Sequence, residues 1–190
     1  MKRICVFAGS NAGSAPEYAQ AAQKLGQELA ARNIELVYGG SKMGLMGIVA
    51  NTVMESGGKA IGVMPKGLFA GEMVHGGLTE LHEVDDMHQR KALMTELSDA
   101  FISLPGGLGT FEELFEALSW SQLGIHQKPV GLLNVNQFYT PLSALISHAI
   151  QAGFARQSNM DLFVMEERPA ELVESLLHFK RPQQENKWGK

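Results

Sequence analysis

The sequence predicts an α/β fold, a single-domain doubly wound parallel sheet of the Rossmann-like type with helices on both faces. Short apolar runs alternate with amphipathic helical stretches along the chain, and this order produces βαβ units and a parallel sheet. The runs are apolar at successive positions, which indicates strands that are buried on both faces. The 190 residues suit one domain. We place it at 1–180 and expect a polar, mobile tail at 181–190.

The first half of the chain contains four predicted strands and three predicted helices. Pro16 begins the first helix, where proline is tolerated because the first-turn N–H groups have no partner within the helix. The second strand ends at Gly39, and Pro65 stops the third because proline cannot donate a ladder hydrogen bond. The predicted strands lie at 3–9, 34–38, 59–64 and 79–84, and the helices at 16–32, 44–56 and 87–97.

The second half continues the alternation with three strands and three helices. Pro105 closes its first strand and Pro169 begins its last helix. The predicted strands lie at 100–104, 129–134 and 162–165, and the helices at 110–123, 138–152 and 169–179. Glycine-rich or polar segments follow three of the strands, beginning at Gly9, Gly39 and Pro105. Since ligands of parallel sheets bind beyond the carboxyl ends of the strands, we expect a pocket at that edge.

The composition excludes several classes of function. A formal net charge of -4 does not favour non-specific binding of nucleic acid or of an anionic membrane. The single cysteine, Cys5, cannot form an intrachain disulfide and is interpreted as a buried thiol. The histidines are scattered without ligand spacing, so the prediction is no metal site and no cofactor. We find no secretory signal and no apolar stretch of bilayer length, and the expected location is the cytoplasm.

The glycine pattern does not support a dinucleotide-binding or P-loop function. The first loop reads GSNAG at 9–13, which differs from GxGxxG. The second strand ends in Gly39 and Gly40, where an acidic residue would hold an adenosine ribose. Residues 107–109 supply two glycines, but Glu112 occupies the third position of that motif. No GxxxxGK[ST] segment is present.

Residues 105–110, with the sequence PGGLGT, predict a phosphate-binding loop. The glycines let the chain turn sharply and let a ligand approach the backbone closely. We expect Thr110 to begin a helix, whose free N–H groups and positive dipole end form an anion site. Such a site needs no lysine in the loop, which suits an acidic protein.

Glu113 permits two interpretations. Thr110 and Glu113 have the spacing of a capping box, in which the Glu113 side chain would reach back to the N–H of Thr110. The alternative is a carboxylate held beside the bound phosphate and aimed toward the sugar. Glu112 is the weaker candidate for that role and is expected to be solvated.

Arg90 falls on the apolar face of its predicted helix. Met87, Met94 and Leu97 define that face, and Arg90 lies three residues after Met87 and four before Met94. Because an unpaired buried guanidinium is costly, Arg90 should have a fixed partner. A structural salt bridge or a snorkelling side chain would explain it. The alternative is a clamp that faces the substrate.

Three segments together match the motifs of one known family. Residues 105–113 match the signature PGGxGTxxE without departure. Residues 87–91 match a Met-x-x step followed by an Arg-Lys pair, and residues 39–47 match a glycine-rich turn that contains GLMG. The sequence therefore resembles the LOG (Lonely Guy) family of cytokinin riboside 5′-monophosphate phosphoribohydrolases. The resemblance extends from Ile4 to about Leu177.

The resemblance implies hydrolysis of an N6-substituted adenine riboside monophosphate, or of AMP, to the free base and ribose 5-phosphate. It also implies a homodimer with active sites at its edge, and it makes Arg90 and Glu113 the catalytic pair. The substrate-binding residues that it implies are Glu72, Arg90, Lys91, Gly106, Gly107, Leu108, Gly109, Thr110, Glu113 and Ser119.

Rival functions share this fold. A nucleotide or molybdenum-cofactor carrier would keep the phosphate loop without the chemistry, whereas Arg90 and Glu113 together favour the enzyme. A non-catalytic DNA-processing relative is disfavoured by the acidic charge balance. Many family members carry the name lysine decarboxylase, but no lysine here has a recognisable pyridoxal-phosphate context.

Overall fold

A seven-stranded, all-parallel sheet forms the centre of the protein. The computed structural model describes residues 1–67 and 73–180. The strands are β1 Arg3–Phe7, β2 Glu35–Tyr38, β3 Ala60–Pro65, β4 Glu80–Val84, β5 Ala100–Ser103, β6 Val130–Leu133 and β7 Phe163–Glu166. Across the sheet they follow the order β4-β3-β2-β1-β5-β6-β7, and every pairing is parallel. The predicted α/β class is confirmed.

Helices cover both faces of the sheet. They are α1 Pro16–Ala31, α2 Gly44–Glu55, α3 Met87–Leu97, α4 Leu108–Leu123, α5 Thr140–Gln151 and α6 Pro169–Leu177. Side chains alternate along each strand, so Leu36 and Tyr38 enter one core while Val37 enters the other. The first core lies under α1, α2 and α6, and the second lies under α3, α4 and α5.

The order in which strands are added to the sheet reverses at β1. From β1 the chain adds β2, β3 and β4 on one side, and then returns to place β5, β6 and β7 on the other. The loops after β1 and β5 therefore leave toward opposite faces, and a crevice opens between them. Gly9 N donates to the Pro105 carbonyl at 3.1 Å, which holds the two loops together at their base. This crevice is the place where the pocket expected at the carboxyl edge of the sheet should lie.

Two local expectations are wrong. β4 is not apolar throughout: Glu80, Leu81 and Glu83 are exposed because this strand forms an edge of the sheet. Helix α4 begins at Leu108 rather than at Thr110. Most other predicted bounds differ from the observed ones by one or two residues, as helix and strand ends commonly do.

Three further expectations have different outcomes. The tail at 181–190 lies outside the described residues, and the domain bound at 180 stays a prediction. The thiol of Cys5 is fully buried, as expected. Within the described ranges, no helix combines the length and the apolar character needed to cross a membrane.

Candidate active site

The start of α4 lies at the carboxyl edge of the sheet, directly after β5. Gly107 is the N-cap of this helix, and Phe111 N donates to the Gly107 carbonyl at 3.0 Å as the first helical hydrogen bond. The N–H groups of Leu108, Gly109 and Thr110 therefore belong to the first turn, where a helix offers donors to a ligand. Together with the positive end of the helix dipole they supply the features that the predicted anion site requires. No carboxylate of this helix precedes Glu112.

The glycines of this loop provide close approach rather than an unusual backbone. None of Gly106, Gly107 and Gly109 has a left-handed φ. A Cβ on Gly106 would lie 2.2 Å from Thr110 Oγ1, so a side chain there would push the buried threonine out of place. Gly107 and Gly109 instead border open space, in which an added Cβ would meet nothing within 4 Å. The expected sharp turn is therefore achieved with ordinary φ values, and the glycines keep the site open.

The capping-box interpretation of Glu113 is wrong. Because α4 begins at Leu108, Thr110 is its third residue and cannot be its N-cap. No side chain caps this end of the helix. Glu113 lies in the second turn, and its carboxylate approaches the guanidinium of Arg90 on α3 instead.

The guanidinium of Arg90 is buried beside the ends of β2 and β3. Arg90 is 8% exposed, and its Nε donates to the Val63 carbonyl at 3.1 Å. An Nη1 contact with the sulfur of Met87 measures 3.8 Å. Nη2 lies against Gly39, where a Cβ would be only 1.8 Å away. Gly39 thus leaves the space in which the arginine head group lies. The inward orientation predicted from the helix pattern is confirmed.

Arg90 and Glu113 face each other without a short hydrogen bond. Arg90 Nη1 and Glu113 Oε1 are 3.7 Å apart, which is within ion-pair range but beyond a hydrogen bond. The Glu113 side chain is only 12% exposed. Burial raises its pKa from the usual 4.5 to about 7, and the positive charge of Arg90 offsets only part of that rise. The carboxyl group can therefore gain or lose a proton near neutral pH.

Lys91 makes a different kind of contact. Its ammonium binds Glu112, and it also binds Glu116 at 2.8 Å, so it links α3 to α4. Burial alone would lower the pKa of Lys91, but the hydrogen bonds with the two carboxylates outweigh burial and raise it. Glu112 is half-exposed, as expected, and carries this ion pair at the surface.

One of the expected substrate contacts lies far from the loop, and another lies outside the described residues. Ser119 is exposed on α4, nine residues after Thr110. At about 1.5 Å per residue it lies roughly 14 Å further along the helix axis. Glu72 lies outside the described residues.

A cavity of about 190 Å³ occupies the crevice between the loops after β1 and β5. One wall is formed by residues 9–13 and another by residues 105–107. Tyr18, Leu45 and Phe138 supply an apolar lining that the sequence did not predict. Tyr18 and Phe138 come from α1 and from the segment before α5, so no local spacing connects them with the loop. Leu45 N donates to the Gly9 carbonyl at 3.0 Å and fixes this side.

Solved structures of low sequence identity share the whole fold. A molybdenum cofactor binding protein from Rippkaea orientalis is 24% identical, with a TM-score of 0.68 and coverage of 93% of this chain and 98% of its own. The molybdenum cofactor carrier protein from Chlamydomonas reinhardtii is 23% identical, with a TM-score of 0.69 and coverage of 93% and 98%. At these identities the likeness shows the fold alone.

Sequence relatives are much more similar. The family model described as "Possible lysine decarboxylase" matches residues 46–176. A cytokinin riboside 5′-monophosphate phosphoribohydrolase from Rhodococcoides fascians is 53% identical over 80% of this chain and 78% of its own. One from Arabidopsis thaliana is 50% identical over 92% of this chain and 82% of its own. The chain therefore belongs to the LOG family, whose curated members carry the name cytokinin riboside 5′-monophosphate phosphoribohydrolase.

Proposed function

We propose that the protein hydrolyses the N-glycosidic bond of cytokinin riboside 5′-monophosphates, and of AMP, to release the free base and ribose 5-phosphate. The observation that carries this proposal is the buried, loosely paired Arg90 and Glu113 beside a helix N-terminus suited to phosphate. The names of relatives at about half identity supply the substrate class.

The phosphate is assigned to the start of α4. The N–H groups of Leu108, Gly109 and Thr110 would bind its oxygens, and the open space at Gly107 and Gly109 would admit it. Glu113 follows Thr110 by three residues, so its carboxylate lies within one helical turn of the anion. A nucleotide anchored by its phosphate would therefore present its ribose near Glu113. Binding energy from the distant phosphate then positions the reacting carbon.

The chemistry proposed for the pair follows from how the bond breaks. As the base leaves, positive charge develops on C1′ and on the ring oxygen, and an ionised Glu113 stabilises that charge. The same carboxylate accepts a proton from the attacking water, whose oxygen forms the new bond to C1′. Arg90 donates a hydrogen bond to the departing base. As the products separate, the base takes up the proton that Glu113 removed from the water, directly or through solvent, and the carboxylate is regenerated. The anchoring of Arg90 at the Val63 carbonyl keeps its donor in place.

One assay separates the enzyme from a carrier on the same fold. We expect purified protein to convert AMP and isopentenyladenosine monophosphate to free base and ribose 5-phosphate, with the two products in equal amounts. Chromatographic separation of the products checks this. Tight binding of both nucleotides without release of base over hours would favour a carrier and contradict the proposal. A catalytic pair is the observation that favours the enzyme, because a carrier requires no carboxylate of raised pKa beside the ligand.

We also propose that the protein is a homodimer that pairs along α4. Apolar side chains on one face of this helix are exposed, with Leu108 at 86% and Leu123 at 63%, and Phe115 lies between them. Ser119 shares that face. A dimer that covers the face would bring Ser119 toward the second copy, which agrees with an active site at the dimer edge. Lys91 and Ser119 stay proposed substrate contacts, and the cytoplasmic location stays a prediction.

Light scattering coupled to size-exclusion chromatography tests the dimer. We expect a mass near twice that of the chain, and a monomer for Leu123→Glu, because a charge in an apolar interface is costly to bury. Leu145→Glu changes an equally exposed leucine on α5 and serves as the matched control. A monomeric wild-type protein, or no change with Leu123→Glu, would contradict pairing along α4.

A further inference from the structure

The residue that precedes the phosphate loop is held by a side chain from the segment between β6 and α5. Tyr139 is fully buried, and its hydroxyl donates to the Leu104 carbonyl at 2.7 Å. Ser103, the last residue of β5, lies 2.7 Å from the same hydroxyl and donates to it. Burial raises the pKa of Tyr139, so the phenol keeps the proton that it donates. This chain of hydrogen bonds ends one residue before Pro105.

The segment that delivers Tyr139 is strained. Asn136 and Gln137 are adjacent and have φ values of 50° and 59°, in the left-handed region that side chains other than glycine rarely adopt. Asn134 stabilises this conformation, since its Oδ1 accepts a hydrogen bond from Tyr139 N at 2.7 Å. Its Nδ2 donates to Thr140 Oγ1 at 3.2 Å. Backbone strain of this kind persists where the surrounding structure fixes it, and it is concentrated at functional sites.

The same segment also supports the loop from its open side. Phe138 lines the cavity together with Gly106 and Gly107. Its ring also stacks on Phe111 of α4, with centroids 6.1 Å apart. Residues 138 and 139 therefore contact both ends of the phosphate loop, one at the start of α4 and one at the end of β5.

We infer that Tyr139 is a positioning residue for phosphate binding, because its hydroxyl fixes the carbonyl of Leu104 and thereby the path of residues 105–107 into α4. It acts through the backbone and does not touch the ligand. The identity of the ligand as the 5′-phosphate of a nucleotide rests on the proposed function. The effect of Tyr139 on the loop should influence the binding of any phosphate ester of ribose at the first turn of α4.

The test compares binding of ribose 5-phosphate to the wild-type protein and to Tyr139→Phe by isothermal titration calorimetry. The substitution removes only the hydroxyl and leaves the Leu104 carbonyl buried without its donor. We expect the Kd to rise about five- to tenfold, as for the loss of one buried hydrogen bond. In hydrolysis of AMP the KM should rise by a similar factor while kcat changes less than about twofold, because Arg90 and Glu113 stay in place.

Tyr38→Phe is the matched control. Tyr38 is also fully buried, at the end of β2, and its hydroxyl has no hydrogen-bond partner within the described residues. It should leave the Kd for ribose 5-phosphate unchanged. Ser103→Ala removes the second hydrogen bond and should weaken binding two- to threefold, and it keeps the inference testable if Tyr139→Phe does not fold.

Two results would overturn the inference. One is a Tyr139→Phe protein with a lower melting temperature but the wild-type Kd, since that outcome assigns the hydroxyl to stability alone. The other is an equal loss of binding in Tyr38→Phe. A wild-type protein that binds ribose 5-phosphate but does not hydrolyse AMP contradicts the proposed function and leaves the binding test in force. A wild-type protein that does not bind it contradicts both.

Discussion

Two neighbouring cations on α3 contact neighbouring carboxylates on α4, and the two contacts differ in kind. Lys91 binds Glu112 and Glu116 closely at the edge of the helix pair. Arg90, the residue before it, is buried and lies 3.7 Å from Glu113. The hydrogen bonds of the first contact raise the pKa of its lysine, as an ordinary ion pair does. In the second, the pKa of the carboxylate rises although a guanidinium is beside it.

Only one of the two contacts is suited to catalysis. An ion pair that satisfies both partners stabilises its geometry and leaves little capacity for proton transfer. In the pair of Arg90 and Glu113, the effect of burial on the pKa of Glu113 outweighs the attraction of the guanidinium. A positive charge that develops on the substrate would therefore stabilise the ionised carboxylate. We therefore assign a structural role to the contact of Lys91 with its two carboxylates. We assign the proposed catalytic role to Arg90 and Glu113.

Replacing the buried carboxylate should have the largest effect. We expect Glu113→Gln to lower kcat for AMP by about a thousandfold or more, because the amide can neither accept a proton nor stabilise the charge at C1′. Base release, followed by chromatography, measures the rate. The melting temperature at pH 8 should rise, since a buried charge is removed. Turnover at the wild-type rate would show that Glu113 is not catalytic.

Filling the space at Gly39 should have the next largest effect. Gly39→Ala would place a Cβ 1.8 Å from Arg90 Nη2 and force the guanidinium to move. Because a displacement of about 1 Å can cost on the order of a hundredfold, we expect kcat/KM to fall by about 30- to 100-fold. Gly76→Ala is the control, since its Cβ would meet nothing within 4 Å. Equal activities in the two variants would show that the position of Arg90 does not limit turnover.

The pH dependence should show activity and stability changing in opposite directions. With the pKa of Glu113 at about 7 in the ligand-free protein, kcat/KM for AMP should rise roughly tenfold between pH 6 and pH 8 as the carboxylate ionises. Since this pKa is higher in the folded than in the unfolded protein, the folded state binds the proton more tightly. Its contribution is most favourable below pH 4.5 and is lost as the pH rises through 7, by on the order of 3 kcal/mol.

Denaturant unfolding across this pH range measures the stability change. Glu113→Gln is the reference protein, because it lacks the titrating group and should lose this component of the pH dependence. If the wild-type protein and this variant showed the same slope of stability between pH 5 and pH 8, the pKa of Glu113 would not be raised.

The smallest effect should come from the contact of Lys91 with Glu116. We expect Glu116→Gln to change kcat less than about threefold and to lower the free energy of unfolding by about 1 kcal/mol or less, because Lys91 keeps Glu112 as a partner. Steady-state kinetics and urea unfolding measure the two quantities. A loss of activity comparable to that of Glu113→Gln would remove the distinction between the contacts.

The sequence predicted those parts of the site that depend on local spacing. The inward position of Arg90 follows from its place between Met87 and Met94, whereas the phosphate-binding role of residues 105–110 stays a prediction. The start of α4 was missed because Gly107 caps it and no serine, threonine or aspartate marks the position. Local spacing could not pair Glu113 with Arg90, because the two residues lie on different helices, α4 and α3; only the resemblance to the family named them as a pair. Gly39 and Tyr139 were missed because their roles depend on contacts with distant residues.

The proposed phosphate site and the carboxylate of Glu113 belong to the same helix, α4, and this limits the length of a substrate. Thr110 and Glu113 are separated by one turn of α4, a distance that an α-helix does not change. The helix therefore fixes the distance between the proposed phosphate site and the reacting carbon. A nucleoside lacks the phosphate that would bind the first turn of α4. In a diphosphate bound there by its terminal group, the sugar would lie one phosphate too far from Glu113. The proposed site would therefore select the monophosphate by its length.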